Sequence, residues 1–183
     1  KTYDGTNAAT VSTANAVFNN QVANDDLTVT STGTFSDKNA ATAKTVTLAN
    51  TLGGTDLNNY TVSNQTTTTA SITKKDVSLT SISATNKTYD GTATASISSG
   101  VIAGTIGSEA LLISGAGTFS DKNAANGKIV TVADVTQLTK TSSTGDWSNY
   151  NLTTSGALTT QADITPKAIT LSGITAAAKT YDG

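Results

Sequence analysis

Two kinds of side chain in this sequence have the chemistry to work at a site: carboxylates and lysines. Asp4, Asp37 and Asp56 are matched by Asp90, Asp121 and Asp146 further along the chain. Gathered in space, such oxygens would hold Ca²⁺ at the weak affinity of many extracellular modules. Taken in pairs, they would be the acid and base of glycoside hydrolysis. Lysines able to meet Asn or Asp, here Lys38, Lys75, Lys122 and Lys167, are the raw material of an intramolecular isopeptide cross-link, which needs a buried acid and loses one ammonia or water per bond. Against these readings, every one of the six Asp except Asp56 lies directly beside Gly or Ser, the setting of turns and caps, and no EF-hand spacing is present. A glycosidase cleft wants an aromatic lining, which one Trp, five Tyr and three Phe spread over the whole chain hardly provide. No catalytic, cofactor-binding or metal-ligating residue is therefore assigned; Ca²⁺ stays as a weak alternative, and no enzyme is expected.

The absences are sharper still. There is no Cys, no His and no Met, and the 11 basic residues are all Lys. Without Cys or His the chain has no thiolate nucleophile, none of the usual zinc or haem ligands and no Ser-His-Asp triad. A net charge of -2 with no Arg removes the guanidinium contacts and basic stripe of nucleic-acid binding. No apolar run approaches the ~20 residues of a membrane helix, so no membrane insertion is expected. With no initiating Met and no secretory apolar region, any targeting signal is expected outside these residues.

Whatever these side chains do must be set by the elements that carry them, and those elements repeat. Lys-Thr-Tyr-Asp-Gly stands at residues 1–5, 87–91 and 179–183. Gly-Thr-Phe-Ser-Asp-Lys-Asn-Ala stands at 33–40 and again, unchanged, at 117–124. Asp-Leu-Asn-Asn-Tyr at 56–60 returns as Asp-Trp-Ser-Asn-Tyr at 146–150, and Ile-Thr-Lys-Lys at 72–75 as Ile-Thr-Pro-Lys at 164–167. A period of roughly 90 residues is the size of a small self-folding module in a tandem array. The chain reads as a stretch of a longer array.

Thr is the commonest residue, with Asn, Ser, Ala and Gly plentiful and a single Pro, the palette of pleated strands and polar turns. Alternation puts Val46 with Leu48, and Val130 with Val132, on one strand face. The same period of two runs through 77–79 and 169–171, 60–62 and 150–152, and 27–29 and 111–113. Asp4-Gly5 and Asp90-Gly91 predict chain reversals, with Gly supplying positive φ. Phe35 and Phe119 are expected in the core, each leading into a hairpin bend at 37–39 and 121–123. Residues 11–24, and their counterpart 97–108, read as loop or strand.

The block 76–86 before the second pentapeptide matches 168–178 before the third, and reads as a module's first strand. On that phase, residues 1–75 are a module lacking its first strand, 76–167 a complete module, and 168–183 the first strand of a following one. An open sheet and an orphan strand on one chain make head-to-tail strand exchange through 168–183 physically attractive. The fold expected is all-β: small antiparallel sandwiches, immunoglobulin-like in outline, packed end to end, with a β-grasp module carrying one short helix as the alternative.

Together the four recurring blocks resemble the YDG-type repeats of large bacterial exported adhesins, the filamentous-haemagglutinin-like exoproteins, over essentially the whole chain. The resemblance implies an extracellular, cell-surface setting, modules strung into a stalk whose partners are the neighbouring repeats, and no catalytic residues. Thr73-Lys74 against Thr165-Pro166, and Leu57 against Trp147, are departures that bear on packing. The expected function is a spacer holding a binding region away from the cell, its stiffness set near Lys74 and Pro166. The alternatives are direct binding of a host glycan or protein through loops such as 141–148, and a strand-exchanged filament. Tyr3, Tyr60, Tyr89, Tyr150 and Trp147 would stack on sugars in the glycan reading and bury their rings in the structural one. Thr-x-Thr segments suit ice-binding ladders only with a short regular period, which this chain lacks, and sequons at Asn59, Asn64, Asn86 and Asn151 are what a Thr- and Asn-rich sequence produces by chance.

Overall fold

The computed structural model describes residues 1–183. Its strands are β1 (Ala8–Ala9), β2 (Thr28–Phe35), β3 (Ala41–Gly53), β4 (Thr67–Ile72), β5 (Lys75–Ala84), β6 (Lys87–Thr88), β7 (Thr94–Ala103), β8 (Leu111–Phe119), β9 (Ala125–Val132), β10 (Thr139–Ser142), β11 (Tyr150–Leu152) and β12 (Leu158–Thr165). Only single 3-10 turns interrupt them, at Leu57–Asn59, Val135–Gln137 and Trp147–Asn149, so the β-grasp alternative lacks its helix.

Alternation drives the strands. Val46, Val130 and Val132 point inward while Thr45 and Thr47 face water, as a pleat requires. In β5 the inward set is Val77, Leu79 and Ile82; a register shift between Leu79 and Ser81 lets the ladder skip a residue, which is how an odd spacing keeps one face. Asp4-Gly5 and Asp90-Gly91 are turns, with φ at +79° and +82° at the glycines. Phe35 and Phe119 are buried at the ends of β2 and β8, each followed by the expected hairpin bend.

The first repeat is one four-stranded sheet in the order β1-β2-β3-β4. The second is a ladder in the order β11-β5-β7-β8-β9-β12-β6, with β10 added to β8. Pairing is antiparallel throughout except β11 with β5 and β12 with β6. Since β5 also packs against β12, this ladder rolls over its own core as two layers, a sandwich-like arrangement. The correspondence of the repeats is direct: Ala9 pairs with Gly33 as Ala95 pairs with Gly117.

One cluster, with Leu79, Ile97, Phe119, Val130 and Ile164, fills the second repeat. Another crosses the repeats, joining Tyr3, Phe35, Val46 and Ile72 to Val77, Leu111 and Tyr150.

Two expected strands do not form. Residues 60–62 are coil, whereas their counterpart is β11, which exists by pairing with β5; nothing equivalent to β5 lies beside the first repeat. Residues 169–171 are likewise unpaired and exposed, because no sheet edge receives them. For the same reason residues 10–27 are loop, whereas their counterparts build β7 against β5.

Candidate functional site

Each pentapeptide is a folded device. Asp4 Oδ1 accepts the Thr6 N–H at 2.9 Å, closing the turn that Gly5 permits. Lys1 Nζ then spans the turn, donating to Asp4 Oδ1 at 2.8 Å, Thr6 O at 2.8 Å and Thr6 Oγ1 at 3.0 Å, and lies 5.8 Å from the centre of the Phe35 ring. The second copy repeats this with Lys87, Asp90, Thr92 and Phe119. The lysine beside each carboxylate, with the threonine N–H, holds Asp4 and Asp90 down at about 2. This explains why the pentapeptide and the Gly-Thr-Phe block recur together: the cation of one sits on the ring of the other.

The bend after each phenylalanine is pinned from the far strand. Asp37 Oδ1 accepts the Asn39 N–H at 2.7 Å and the ammonium of Lys44, which also donates to Asn39 O at 3.0 Å. Asp121 likewise accepts the Asn123 N–H and the ammonium of Lys128. Lys44 and Lys128 are each only 8% exposed, and each pairs with a half-exposed aspartate whose carboxyl is held below its ordinary range by that ammonium first and the asparagine N–H second.

Where the repeats meet, these devices converge. Glu109, the only glutamate in the chain, receives the Tyr3 hydroxyl at 2.7 Å on one oxygen and the Tyr150 hydroxyl at 2.6 Å on the other. Lys38 Nζ approaches at 3.3 Å, and the Ile106 N–H donates to the Tyr150 hydroxyl at 3.0 Å. The two rings meet edge to face, 5.4 Å between centres. Burial pushes the Glu109 carboxyl up, but the hydrogen bonds from Tyr150, Tyr3 and Lys38 outweigh it and leave the carboxyl below its ordinary value. Burial and then the facing carboxylate push Tyr150 up to about 12, and Tyr3 moves the same way. Alongside, Asn149, 1% exposed, accepts the Ala40 N–H at 2.8 Å and donates to Asn39 Oδ1 at 3.1 Å. Tyr3 N–H donates to Thr73 O at 2.8 Å, and only Thr73 and Lys74 separate β4 from β5. Gly5 sits at φ +79°, and a Cβ there would also press on Ile106 Cγ2 at 3.0 Å.

The candidates named from sequence are dispersed by this geometry. Asp4 and Asp90 serve their turns, Asp37 and Asp121 their hairpin bends, and Asp146 caps the 3-10 turn by accepting the Ser148 N–H. Asp56 accepts the Asp26 N–H at 2.8 Å. Of the four lysines considered for cross-linking, Lys38 faces Glu109; the lysines buried against carboxylates are Lys44 and Lys128. Tyr3 and Tyr150 are core residues, and Trp147 donates its indole N–H to Leu112 O at 3.2 Å with Lys140 Nζ 5.4 Å from its ring. Glu109, Asn149, Lys44 and Lys128 were not singled out beforehand. A signal existed for the lysines, which both follow their Asp by 7 residues, and for Glu109 in its being unique.

No curated protein and no solved structure matches the chain. The family model of the YDG domain matches residues 1–69 and again residues 73–157, most of the chain and both repeats. Both clamps, at residues 1–6 and 87–92, lie inside the matched stretches, and the chain belongs to the YDG domain family, with two copies in tandem.

Proposed function

We propose that the chain is a length of spacer in a bacterial surface or secreted adhesin, its repeats stacked to hold a binding region away from the cell, with no turnover. The observation that carries this reading is the junction: a two-residue connection, a cluster of buried side chains drawn from both repeats, and a carboxylate gripped from both sides. A connection of that kind transmits load and orientation, whereas a flexible tether needs neither a shared core nor a polar clamp. The outer-surface setting draws its support from the resemblance of the repeats to those of exported adhesins.

Direct glycan recognition through 141–148 is less well supported, because Trp147 spends its N–H on Leu112 and carries Lys140 over its ring. Small-angle scattering tests the spacer reading. A single rigid envelope is expected for the native chain, and a broader distribution of inter-repeat angles for Tyr3→Ala. Equal flexibility in both would refute it.

A further inference from the structure

The two repeats build the same bulge from different residues. In the first, β3 meets β4 with Ala41 opposite Ile72 and then Lys44 opposite Ala70; in the second, β9 meets β12 with Ala125 opposite Ile164 and then Lys128 opposite Ala162. Two residues on one strand therefore oppose a single residue on the other: Thr42 and Ala43 face Ser71, and Asn126 and Gly127 face Asp163. The second residue of each pair has positive φ, +50° at Ala43 and +61° at Gly127. Its N–H turns to a side chain: Ala43 donates to Ser71 Oγ at 3.2 Å, and Gly127 to Asp163 Oδ1 at 2.7 Å.

Neither the bulge nor the packing asks for the residues that the second repeat places there. Ala43 shows that the bulge forms with a side chain, and a Cβ at Gly127 would meet only Gln161 Oε1, at 4.0 Å. Yet residues 126–127 are the one Asn-Gly in the chain, and both are exposed. Asn followed by Gly is the pair in which a main-chain nitrogen most readily reaches the preceding side-chain carbonyl, because no Cβ restricts the approach. The proton that this nitrogen must lose is the one held by Asp163.

Asp163 is itself held in place. Asn86 Nδ2 donates to Asp163 Oδ2 at 3.3 Å, and Asn86 Oδ1 accepts the Asp163 N–H at 2.8 Å. One carboxylate oxygen is tied to Asn86, and the other is left on the Gly127 N–H, within the reach that a general base needs. A nucleophile, a base on its proton and a third group orienting the base are the parts of an activated nucleophile. In the first repeat the same place holds a hydroxyl, which is no base.

We propose that Asn126 is a self-modification site, deamidated by the Gly127 nitrogen with Asp163 as the base. The nitrogen bonds to Asn126 Cγ as its proton passes to Asp163. The bond from Cγ to the side-chain nitrogen then breaks, and that nitrogen leaves as ammonia with the proton that Asp163 returns. Water opens the five-membered imide at either carbonyl, giving aspartate or isoaspartate. One water enters, one ammonia leaves, and nothing is oxidised or reduced. Either product sets a second carboxyl opposite Asp163, and isoaspartate also lengthens the main chain by one carbon. The change falls two residues before Lys128, whose ammonium pins the hairpin bend through Asp121, so the second repeat carries a slow chemical timer on one of its own supports. None of this depends on the spacer reading.

Incubation of the native chain at neutral pH, followed by peptide mapping and isoaspartate analysis, tests it. Asn126 is expected to convert to a mixture of aspartate and isoaspartate ahead of every other asparagine. Asp163→Asn keeps an oxygen able to accept the Gly127 N–H but removes the base, and is expected to slow conversion roughly 10²-fold, the low end of what a positioned base supplies. Its rate should also climb more steeply with pH than the native rate, since free hydroxide then has to take the proton. Should that variant disturb β12, the first repeat is an independent host. Thr42→Asn with Ala43→Gly sets the same pair opposite the Ser71 hydroxyl and is expected to convert slowly, and adding Ser71→Asp is expected to speed it up. An intact Asn126 in the incubated native chain, an Asp163→Asn variant that converts as fast as the native chain or faster, or a first-repeat pair indifferent to Ser71→Asp would overturn the proposal.

Discussion

Replacing Glu109 by Gln tests the junction at its narrowest point. The carboxylate accepts two tyrosine hydroxyls, one on each oxygen, with Lys38 sharing the first. An amide has one accepting oxygen. Whichever way Gln turns, its NH₂ faces a hydroxyl that has lost its acceptor. For Tyr150 the conflict is worse, because that hydroxyl already accepts from Ile106. Hydrogen bonds to a charged group are worth about 1.5–3 kcal/mol, and the one that survives weakens when the charge goes. The half-exposed Lys38 adds little, because solvent screens its charge. A loss of roughly 2–4 kcal/mol is expected. Trp147 flanks both hydrophobic clusters and is the only tryptophan, so denaturation followed by its fluorescence reads the junction. The tyrosinate absorbance gives a second, independent readout: with the facing charge removed, Tyr150 should titrate below the value of about 12 that it has in the native chain. A loss under about 0.5 kcal/mol together with an unchanged tyrosine titration would refute the clamp, because neither could follow if the carboxylate held both hydroxyls.

Stability should fall at both ends of the pH range. Glu109 ionises more readily folded than unfolded, so its contribution is present above the ordinary carboxylate range of about 4.3 and is lost as pH falls through its lower folded value. Tyr150 behaves oppositely: its contribution is full below about 10 and is lost as pH rises toward about 12, and thermal melts across pH check both arms. Gly5→Ala should cost more than Gly91→Ala, because both glycines have positive φ, costing about 1 kcal/mol for a side chain, but only the Gly5 position also meets Ile106; paired urea titrations compare them. Lys87→Met should keep the fold while raising the Asp90 carboxyl from about 2 toward its ordinary value, read from its carboxyl carbon shift in an NMR titration. Adding Ca²⁺ should leave the melting temperature unchanged, since Asp4, Asp37, Asp90 and Asp121 each hold a lysine ammonium.

What could be read in advance was local. Period-two alternation located the inward face at Val46, Val130 and Val132, and the Asp-Gly pairs located their turns, because those features depend on near neighbours. The strands that failed, 60–62 and 169–171, have the same local pattern as β5 and β11 but no edge to pair with, and an unpaired strand is not stable on its own pattern. The junction was hidden for a related reason. Tyr3 and Glu109 are 106 residues apart, and no local rule joins them. A comparison between repeats held the clue: Asp25 with Tyr60, and Glu109 with Tyr150, recur at matching places, marking a carboxylate and a phenol that belong together. The buried lysines were hidden by their type, since Lys is rarely internal unless it is paired.

The junction's stiffness follows from which residues bending would expose. A hinge between β4 and β5 would draw Tyr3, Val77, Leu111 and Tyr150 apart, all buried now and contributed from both sides of the connection. Burying a large apolar side chain is worth about 1.5–3 kcal/mol, so even half-exposing four of them costs roughly 3–6 kcal/mol before any hydrogen bond to Glu109 is broken. Thermal energy is about 0.6 kcal/mol, and a bend at that cost is populated in well under one molecule in a hundred. The repeats are therefore neighbours in the energetic sense of a solenoid, where each unit's stability includes the face it shares. A pair of repeats joined this way resists bending through its cores, and the polar clamp at Glu109 then fixes the angle at which those cores meet.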